Sequence, residues 1–341
     1  MHERIHLAAN NPDLGGGEQM LIRTAAALVS LDRPVTVVAP DAPTEVLDAA
    51  AGVGADVVAI RADGRRDYLQ RLREWDRRER AGLLWCHGLV PSLATSGRPR
   101  RLVHLHQQPR SLAQEAALLP ARLRSERTLT PSAYLSSRVR HSSVFANWTD
   151  DVARLPSPSA IGRVGFLGRL STDKGLDLVA RAMATSPAAA GMQLVVAGDD
   201  RWVPDGQRDA VIDAMSGLGD RVHRLGRVSP AEFFAEIDLA VLPSRVAESF
   251  GLVVAEAMAA GIPFVISDAG ALPEVAGPDH PWVARAGDAD DLARVIEQAL
   301  AATPDDVRVV TDRARLRWED DYSPQAGRSR VERLLEELGV T

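Results

Sequence analysis

The sequence predicts an α/β protein built from two doubly wound units, each a parallel sheet covered by helices. Three observations carry that expectation. Short apolar runs alternate with longer segments of helical period, as a buried parallel sheet with crossover helices requires. The rhythm stops near residue 150 and restarts at RVGFLGRL, which separates two units. The chain of 341 residues is about twice the usual domain length, enough for two cores.

Taken in order, the first unit reads RIHLAAN as a strand, GEQMLIRTAAALVSL as its helix, PVTVVAP and ADVVAI as strands, and RDYLQRLREWDRRE as a helix. GLLWCHG, RLVHLHQ and RTLTPS complete the strand set. The segment ANWTDDVARLPSPSAIG is rich in Pro, Ser and Asp, has little periodicity, and reads as a linker. The second unit continues through GLDLVARAMA, MQLVVAGDD, RVHRLGRV, DLAVLPS, FGLVVAEAMAAG and IPFVIS. The predicted division is 1–150 for the first domain, 151–160 for the linker, 161–318 for the second domain and 319–341 for a terminal helical segment crossing back to the first. That last segment, RSRVERLLEELG, is amphipathic and has no strand beside it.

Composition narrows the function classes. Apolar residues at 45% and charged residues at 25% are ordinary for a globular protein. The net charge of −6 divides unevenly, with 20 Lys/Arg against 16 Asp/Glu in residues 1–150 and 20 against 30 in the rest. Neither half has the basic field that nucleic acid requires, so no nucleic-acid partner is expected. The start MHERIHLAANN has no basic segment leading into a long apolar run, no stretch reads as a membrane span, and the lone Cys86 sits in an apolar strand run as a buried, inert thiol. These features fit the cytoplasm. The helix from Arg65 to Arg80 carries seven arginines and four acids, with Leu69, Leu72 and Trp75 as its apolar stripe. It is expected to be a solvated helix packed through that stripe, with membrane-surface docking the alternative.

Three stretches can carry chemistry at the carboxyl ends of strands, where ligands of doubly wound folds gather. Gly15-Gly16-Gly17-Glu18 follows a strand and opens a helix, and its glycines permit close backbone approach to a phosphate. A glycine turn before a helix also occurs without a ligand, and the pattern is neither GxGxxG nor a P-loop. GRLSTDKG follows the strand RVGFL and places Arg169 and Lys174 in a loop, a fork and a point charge suited to a diphosphate. Of the 40 basic residues, Lys174 is the one lysine, which singles out this loop. In SRVAESFGLVVAEAMAAG, Glu248 belongs to a loop, Phe250-Gly251 to the helix entrance and Glu256 one to two turns inside. The two carboxylates then cannot share a proton and fit two separate acceptors for sugar or ribose hydroxyls. Asp288 and Asp290 in GDADDLARVIEQAL read as a helix start rather than metal ligands.

From Gly168 to Glu274 the chain resembles the retaining glycosyltransferases of family 4. The resemblance is carried by Gly168-Arg169-Leu170, Lys174-Gly175, Ala197-Gly198-Asp199, Leu225-Gly226 with Val228, Pro243-Ser244, Glu248-Ser249-Phe250-Gly251-Leu252, Glu256-Ala257-Met258-Ala259 and Gly270-Ala271-Leu272-Pro273-Glu274. It implies the GT-B architecture, two Rossmann-like domains facing a central cleft. It also implies a metal-independent transfer of a sugar from a nucleoside diphosphate sugar to the hydroxyl of an acceptor, with no cofactor. A compact first domain favours a small acceptor.

By the same resemblance, Arg169 and Lys174 hold the donor diphosphate, assisted by N–H groups near Ser249, Phe250, Gly251 and Leu252 and by Gly15 and Gly16. Glu256 holds the ribose, Glu248 the transferred sugar, and Leu225 to Val228 lie against the base. A histidine at a strand end is expected near the reacting carbon, and His106 is favoured over His104, which alternation points into a core. His87, His104 and Arg110 are acceptor candidates. If Arg98, Arg100, Arg101 and Arg110 face the cleft they would draw an anionic group on the acceptor; the alternative is that all four are simply solvated. Asn147-Trp148-Thr149-Asp150 departs from the family's Asn-Gly linker pattern. The alternatives are a nucleotide-sugar epimerase or hydrolase on the same architecture and a non-catalytic sugar-nucleotide-binding module.

Overall fold

In the computed structural model, which describes residues 2–109, 111–156 and 161–340, the chain divides into two compact units, Met1–Trp148 with Pro324–Thr341 and Thr149–Ser323. In the first, strands Ile5–Ala8 (β1), Val35–Pro40 (β2), Asp56–Ile60 (β3), Leu83–His87 (β4), Arg101–His104 (β5), Arg127–Thr130 (β6) and Ser143–Val144 (β7) form a parallel sheet ordered β3-β2-β1-β4-β5-β6-β7. Helices Gly16–Ser30 (α1), Glu45–Gly52 (α2), Arg65–Arg78 (α3), Leu89–Ala94 (α4), Leu112–Arg122 (α5) and Ala133–Ser136 (α6) connect them. The reversal of strand order beside β1 is a topological switch point, and it sets the carboxyl ends of β1 and β4 side by side.

The second unit repeats this plan with β8 (Arg163–Leu167), β9 (Gln193–Ala197), β10 (Val222–Gly226), β11 (Leu239–Leu242), β12 (Phe264–Ser267) and β13 (Val283–Ala284), ordered β10-β9-β8-β11-β12-β13 and parallel throughout. Its helices are Leu176–Thr185 (α7), Asp205–Ser216 (α8), Pro230–Ala235 (α9), Leu252–Ala260 (α10), Leu272–Ala276 (α11), Ala289–Ala301 (α12) and Pro304–Asp321 (α13). The terminal helix Pro324–Glu337 (α14) packs in the first unit, where Gly327 lies so close to Trp148 that an added Cβ would stand 2.3 Å from the indole. Trp148, in the place of the expected family glycine pattern, is thus a buried anchor for that helix.

The near-continuous apolar strands, such as β4 and β12 with no exposed position, are the signature of a sheet covered on both faces. α3 buries Tyr68, Leu72 and Trp75 against Ala8, Val38 and Leu84, and Leu69 packs at the edge of this cluster. The arginines of α3 are exposed, as expected of a solvated helix packed through that stripe, whereas Asp76 is fully buried in ion pairs with Arg80 at 2.6 Å and Arg98 at 3.2 Å. Cys86 is buried, and burial pushes its thiol pKa up. Among the described residues no helix is long and apolar enough to cross a membrane.

Candidate functional site

In the second unit the loops after β8, β9, β10 and β11 converge. Gly168 donates to Ala197 O and Gly198 to Gly226 O, so the three strand ends are stitched by backbone bonds of 3.0 and 2.8 Å. Gly198 has a φ of +128°, and a Cβ there would fall 1.9 Å from Gly168 O, so no other residue fits. This places Arg169 on an exposed loop, and Leu225 and Val228 half-exposed at the end of the edge strand.

Lys174 closes a single helical turn, Thr172–Lys174, just ahead of α7. Its ammonium donates to Glu248 Oε1 at 2.5 Å, and the two side chains keep 29% and 18% of their exposure, so the pair is still reachable by a ligand. Burial raises the Glu248 carboxyl. The Lys174 charge, its hydrogen bond, the Ser244 hydroxyl and the Arg169 charge outweigh burial, and the pKa ends below the ordinary carboxylate value. Glu248 is therefore an ionised acceptor at neutral pH.

The loop that carries Glu248 is held at both ends. Arg245 forks onto the buried Asp177 carboxylate at 2.5 and 2.7 Å and donates to Thr172 O, which locks the β11 loop to the Lys174 turn. Ser244 donates to Asp173 O and Val246 O, and Ser267 donates to Ser244 O. On the far side Glu248 bridges Gly270, and Ala271 N–H donates to Glu248 O at 2.9 Å. Sequence reasoning did not find Asp177, Arg245 or Gly270 as supports. Arg245 lies beside the Pro243-Ser244 motif, but its partner is 68 residues away and leaves no local signal.

Phe250 is buried and packs edge-on to Tyr322 at 5.3 Å, which leaves only its backbone for a ligand. Gly251, at φ +101°, opens α10, and Ser249, Gly251 and Leu252 are partly exposed. Glu256 is 5% exposed, on the second turn of α10. Asp288 accepts from Asp291 N–H at 2.9 Å as the cap of α12, and Asp290 is exposed in its first turn.

In the first unit, Gly15 is the extended residue before α1, Gly15 and Gly16 are exposed, and Glu18 is buried and accepts from Asn11 N and Nδ2. Burial raises the Glu18 pKa against those hydrogen bonds. The three histidines form one cluster. β4 and β5 pair in parallel with His87 opposite His104, and His106 follows two residues on. His87 Nδ1 and His106 Nε2 are 3.0 Å apart, and the His104 and His106 rings are 4.1 Å apart between centroids. His87 and His104 are buried and His106 is half-buried. Burial lowers all three pKa values, that of His106 to about 4, so the rings are neutral at pH 7.

Arg98, Arg100 and Arg101 do not form the basic field considered for an anionic acceptor. Arg98 is paired with Asp76, and Arg100 with Glu3 and Glu126. Arg101 is fully buried and donates to the carbonyls of Ser92, Arg98, Ala121 and Leu123 and to Thr95 Oγ1. These guanidiniums are structural because strand β5 and its flanks offer carbonyls and carboxylates that local sequence does not reveal. Arg110 lies outside the described residues.

Comparison with known proteins gives the same fold. HepE of Anabaena, in complex with UDP-glucose, superposes with a TM-score of 0.84 over 98% of this chain and 100% of its own, at 20% identity. Sucrose-phosphate synthase of Thermosynechococcus elongatus gives 0.82 over 98% and 99%, at 18% identity. The fold class is thus that of the GT-B proteins. Residues 162–302, most of the second unit, match the family model of glycosyl transferases group 1. Among curated relatives, an MMP alpha-(1->4)-mannosyltransferase of Mycolicibacterium hassiacum is 37% identical over 128 residues, 36% of this chain and 30% of that protein. A D-inositol 3-phosphate glycosyltransferase of Mycolicibacterium smegmatis is 33% identical over 171 residues, 47% of this chain and 38% of that protein. The chain spans well under half the length of either relative.

Proposed function

We propose that the chain is a retaining glycosyltransferase that moves a sugar from a nucleoside diphosphate sugar to a hydroxyl of a small acceptor. The observation that carries this reading is the Lys174–Glu248 pair, half-exposed beside the entrance of α10. An ammonium has three donors, so Lys174 can keep Glu248 and still point an N–H at a phosphate oxygen. Glu248, held ionised, can accept from sugar hydroxyls in the same step. Arg169 adds a planar fork for the second phosphate, and Glu256 an acceptor for ribose.

In the transfer, the bond from the anomeric carbon to the donor phosphate breaks and a bond to the acceptor oxygen forms on the same face. The acceptor proton passes to the departing phosphate oxygen. Positive charge develops on the sugar ring and negative charge on the diphosphate. Fixed cations that meet the diphosphate more closely as it leaves lower the barrier. In this reading Lys174, Arg169 and the N–H groups at Gly251 and Leu252 supply that stabilisation without a metal ion. The names of the relatives, a mannosyltransferase and D-inositol 3-phosphate glycosyltransferases, and the UDP-glucose in one structural neighbour support a sugar-nucleotide donor.

The test has two steps. A thermal-shift screen against UDP, GDP, ADP and dTDP identifies the nucleotide by stabilisation of the folded state. The corresponding donor is then incubated with small polyol and sugar acceptors in EDTA. Release of nucleoside diphosphate that depends on acceptor, with the donor's anomeric configuration kept in the product, is the expected result. Release or epimerisation at full rate without acceptor would replace the reading by a hydrolase or epimerase, and failure of all four nucleotides to stabilise the protein would remove the donor site.

A further inference from the structure

The histidine cluster in the first unit has more ring nitrogens than partners. Three neutral imidazoles bring three donors and three acceptors, and the described contacts satisfy one of each, between His87 Nδ1 and His106 Nε2. His87 Nε2, His104 Nδ1, His104 Nε2 and His106 Nδ1 are buried without a hydrogen-bond partner. A buried polar atom left unpaired costs about 1–3 kcal/mol, so four at one place point to a bound water or ion among the rings.

One nitrogen from each ring can be chosen so that all three lie within 4.8 Å of one another. A zinc-class ion with bonds of about 2.0–2.1 Å places tetrahedral ligand atoms about 3.4 Å apart, so modest ring rotations close the site. His87 Nδ1 and His106 Nε2, 3.0 Å apart, need to separate by only about 0.4 Å to reach that spacing. We propose that His87, His104 and His106 bind one divalent transition-metal ion of the zinc class, through three imidazoles with a fourth position open to solvent on the His106 side.

The ligand chemistry selects the ion. Three imidazoles without a carboxylate suit zinc, cobalt, nickel or copper, and not magnesium or calcium. His87 and His104 are brought together by strand register, with Trp85 beside both rings at 5.8 and 6.1 Å and Phe145 edge-on to His104 at 5.5 Å. His106 is half-buried and gives access. One feature opposes tight binding: Gly17, in the first turn of α1, lies against the His106 ring, and the positive end of that helix disfavours a dication. A site of moderate affinity is expected, occupied according to metal supply. Because the ion would take the lone pair of His106, its effect on the proposed transfer is inhibitory. The binding itself rests on the three rings and not on the proposed function.

The experiment uses the full chain, stripped with a chelator and dialysed. Titration with cobalt chloride, followed by visible absorption, should saturate at one equivalent with the intense ligand-field bands of a four-coordinate site, and zinc chloride should displace it. His104→Phe and His106→Ala should each weaken cobalt binding by about tenfold or more, with far-UV circular dichroism verifying the fold. His106→Ala removes a half-buried ring and keeps the test valid where His104→Phe disturbs packing. The exposed His141→Ala and His223→Ala serve as controls and should bind as the parent does. Absence of a saturable cobalt signal, or equal binding by the parent and the folded His106→Ala protein, would overturn the proposal.

Discussion

The two units solve opposite electrostatic problems at the same place in the same fold, the carboxyl ends of a parallel sheet. In the second unit, charge is preserved by pairing: Lys174 faces Glu248 where solvent still reaches both side chains, and Arg245 forks onto Asp177, buried in the first turn of α7. In the first unit, charge is suppressed by burial at the histidine cluster, and the fully buried Arg101 of β5 donates to backbone carbonyls. The lesson is that equivalent strand ends do not carry equivalent chemistry. What decides is whether a side chain meets an opposite charge or an apolar wall before it meets water.

The sharpest way to test the first half of that contrast is Arg101→Met. Removing the guanidinium takes a donor from four carbonyls and a hydroxyl inside the first unit, of which Leu123 O keeps Gly97 N–H and the Thr95 hydroxyl keeps Pro91 O, and a loss of about 3–5 kcal/mol of stability in urea denaturation is expected. A loss under about 1 kcal/mol would mean that water replaces the arginine, and that the charge is not structural. The second half is tested by Lys174→Ala. Transfer efficiency should fall by roughly 10²–10³-fold, about 3–4 kcal/mol, with unfolding midpoints little changed. Unaltered kinetics would remove the lysine from the site and leave its pair with Glu248 a structural contact.

Burial also acts within the second unit, at His280, whose ring stacks on Phe264 at 4.3 Å and whose pKa burial lowers to about 4. The unfolded chain binds this proton near pH 6.5 and the folded chain near 4. Stability from this group is therefore complete above about pH 6.5 and is lost as pH falls towards 4, by up to about 3 kcal/mol. Denaturation curves at pH 7.5 and 4.5 for the parent and His280→Phe should show this extra acid sensitivity in the parent alone, and parallel losses would place the ring in water.

The smallest effect refines the pairing argument. Gly270 has a φ of +68°, and an added Cβ would stand 2.4 Å from Glu248 N and O. Gly270→Ala should cost about 1–3 kcal/mol and lower transfer by displacing Glu248, with KM for donor rising more than stability alone explains. Transfer kinetics identical to the parent's would show that Glu248 need not be held there.

Several parts of this were legible in the chain. Alternating strand and helix segments declare a parallel sheet because the apolar pattern is local, and the restart at RVGFLGRL marks the second unit for the same reason. The positions of Lys174 before α7 and of Glu248, Gly251 and Glu256 about α10 also follow from local pattern: a strand end, a glycine and a helical run lie within a few residues of one another. Asp288 could be read as a cap because a cap is a contact three residues long.

Contacts across strands could not be read in that way. His87 and His104 meet because β4 and β5 are neighbours in register, and nothing in the sixteen residues between them states which strands will pair. Arg101 looked like one arginine in a basic stretch, and only the placement of α4 and α5 around it turned it into a buried hub. Asp177 and Arg245 are separated by 68 residues and meet where the loop after β11 packs on the first turn of α7. The sequence by itself determined the elements, the two-unit division and the loops on which Lys174 and Glu248 sit. Tertiary structure alone decided which side chains share a site and which of them keep their charge, because both depend on burial and through-space distance, and neither is a property of any short stretch of chain.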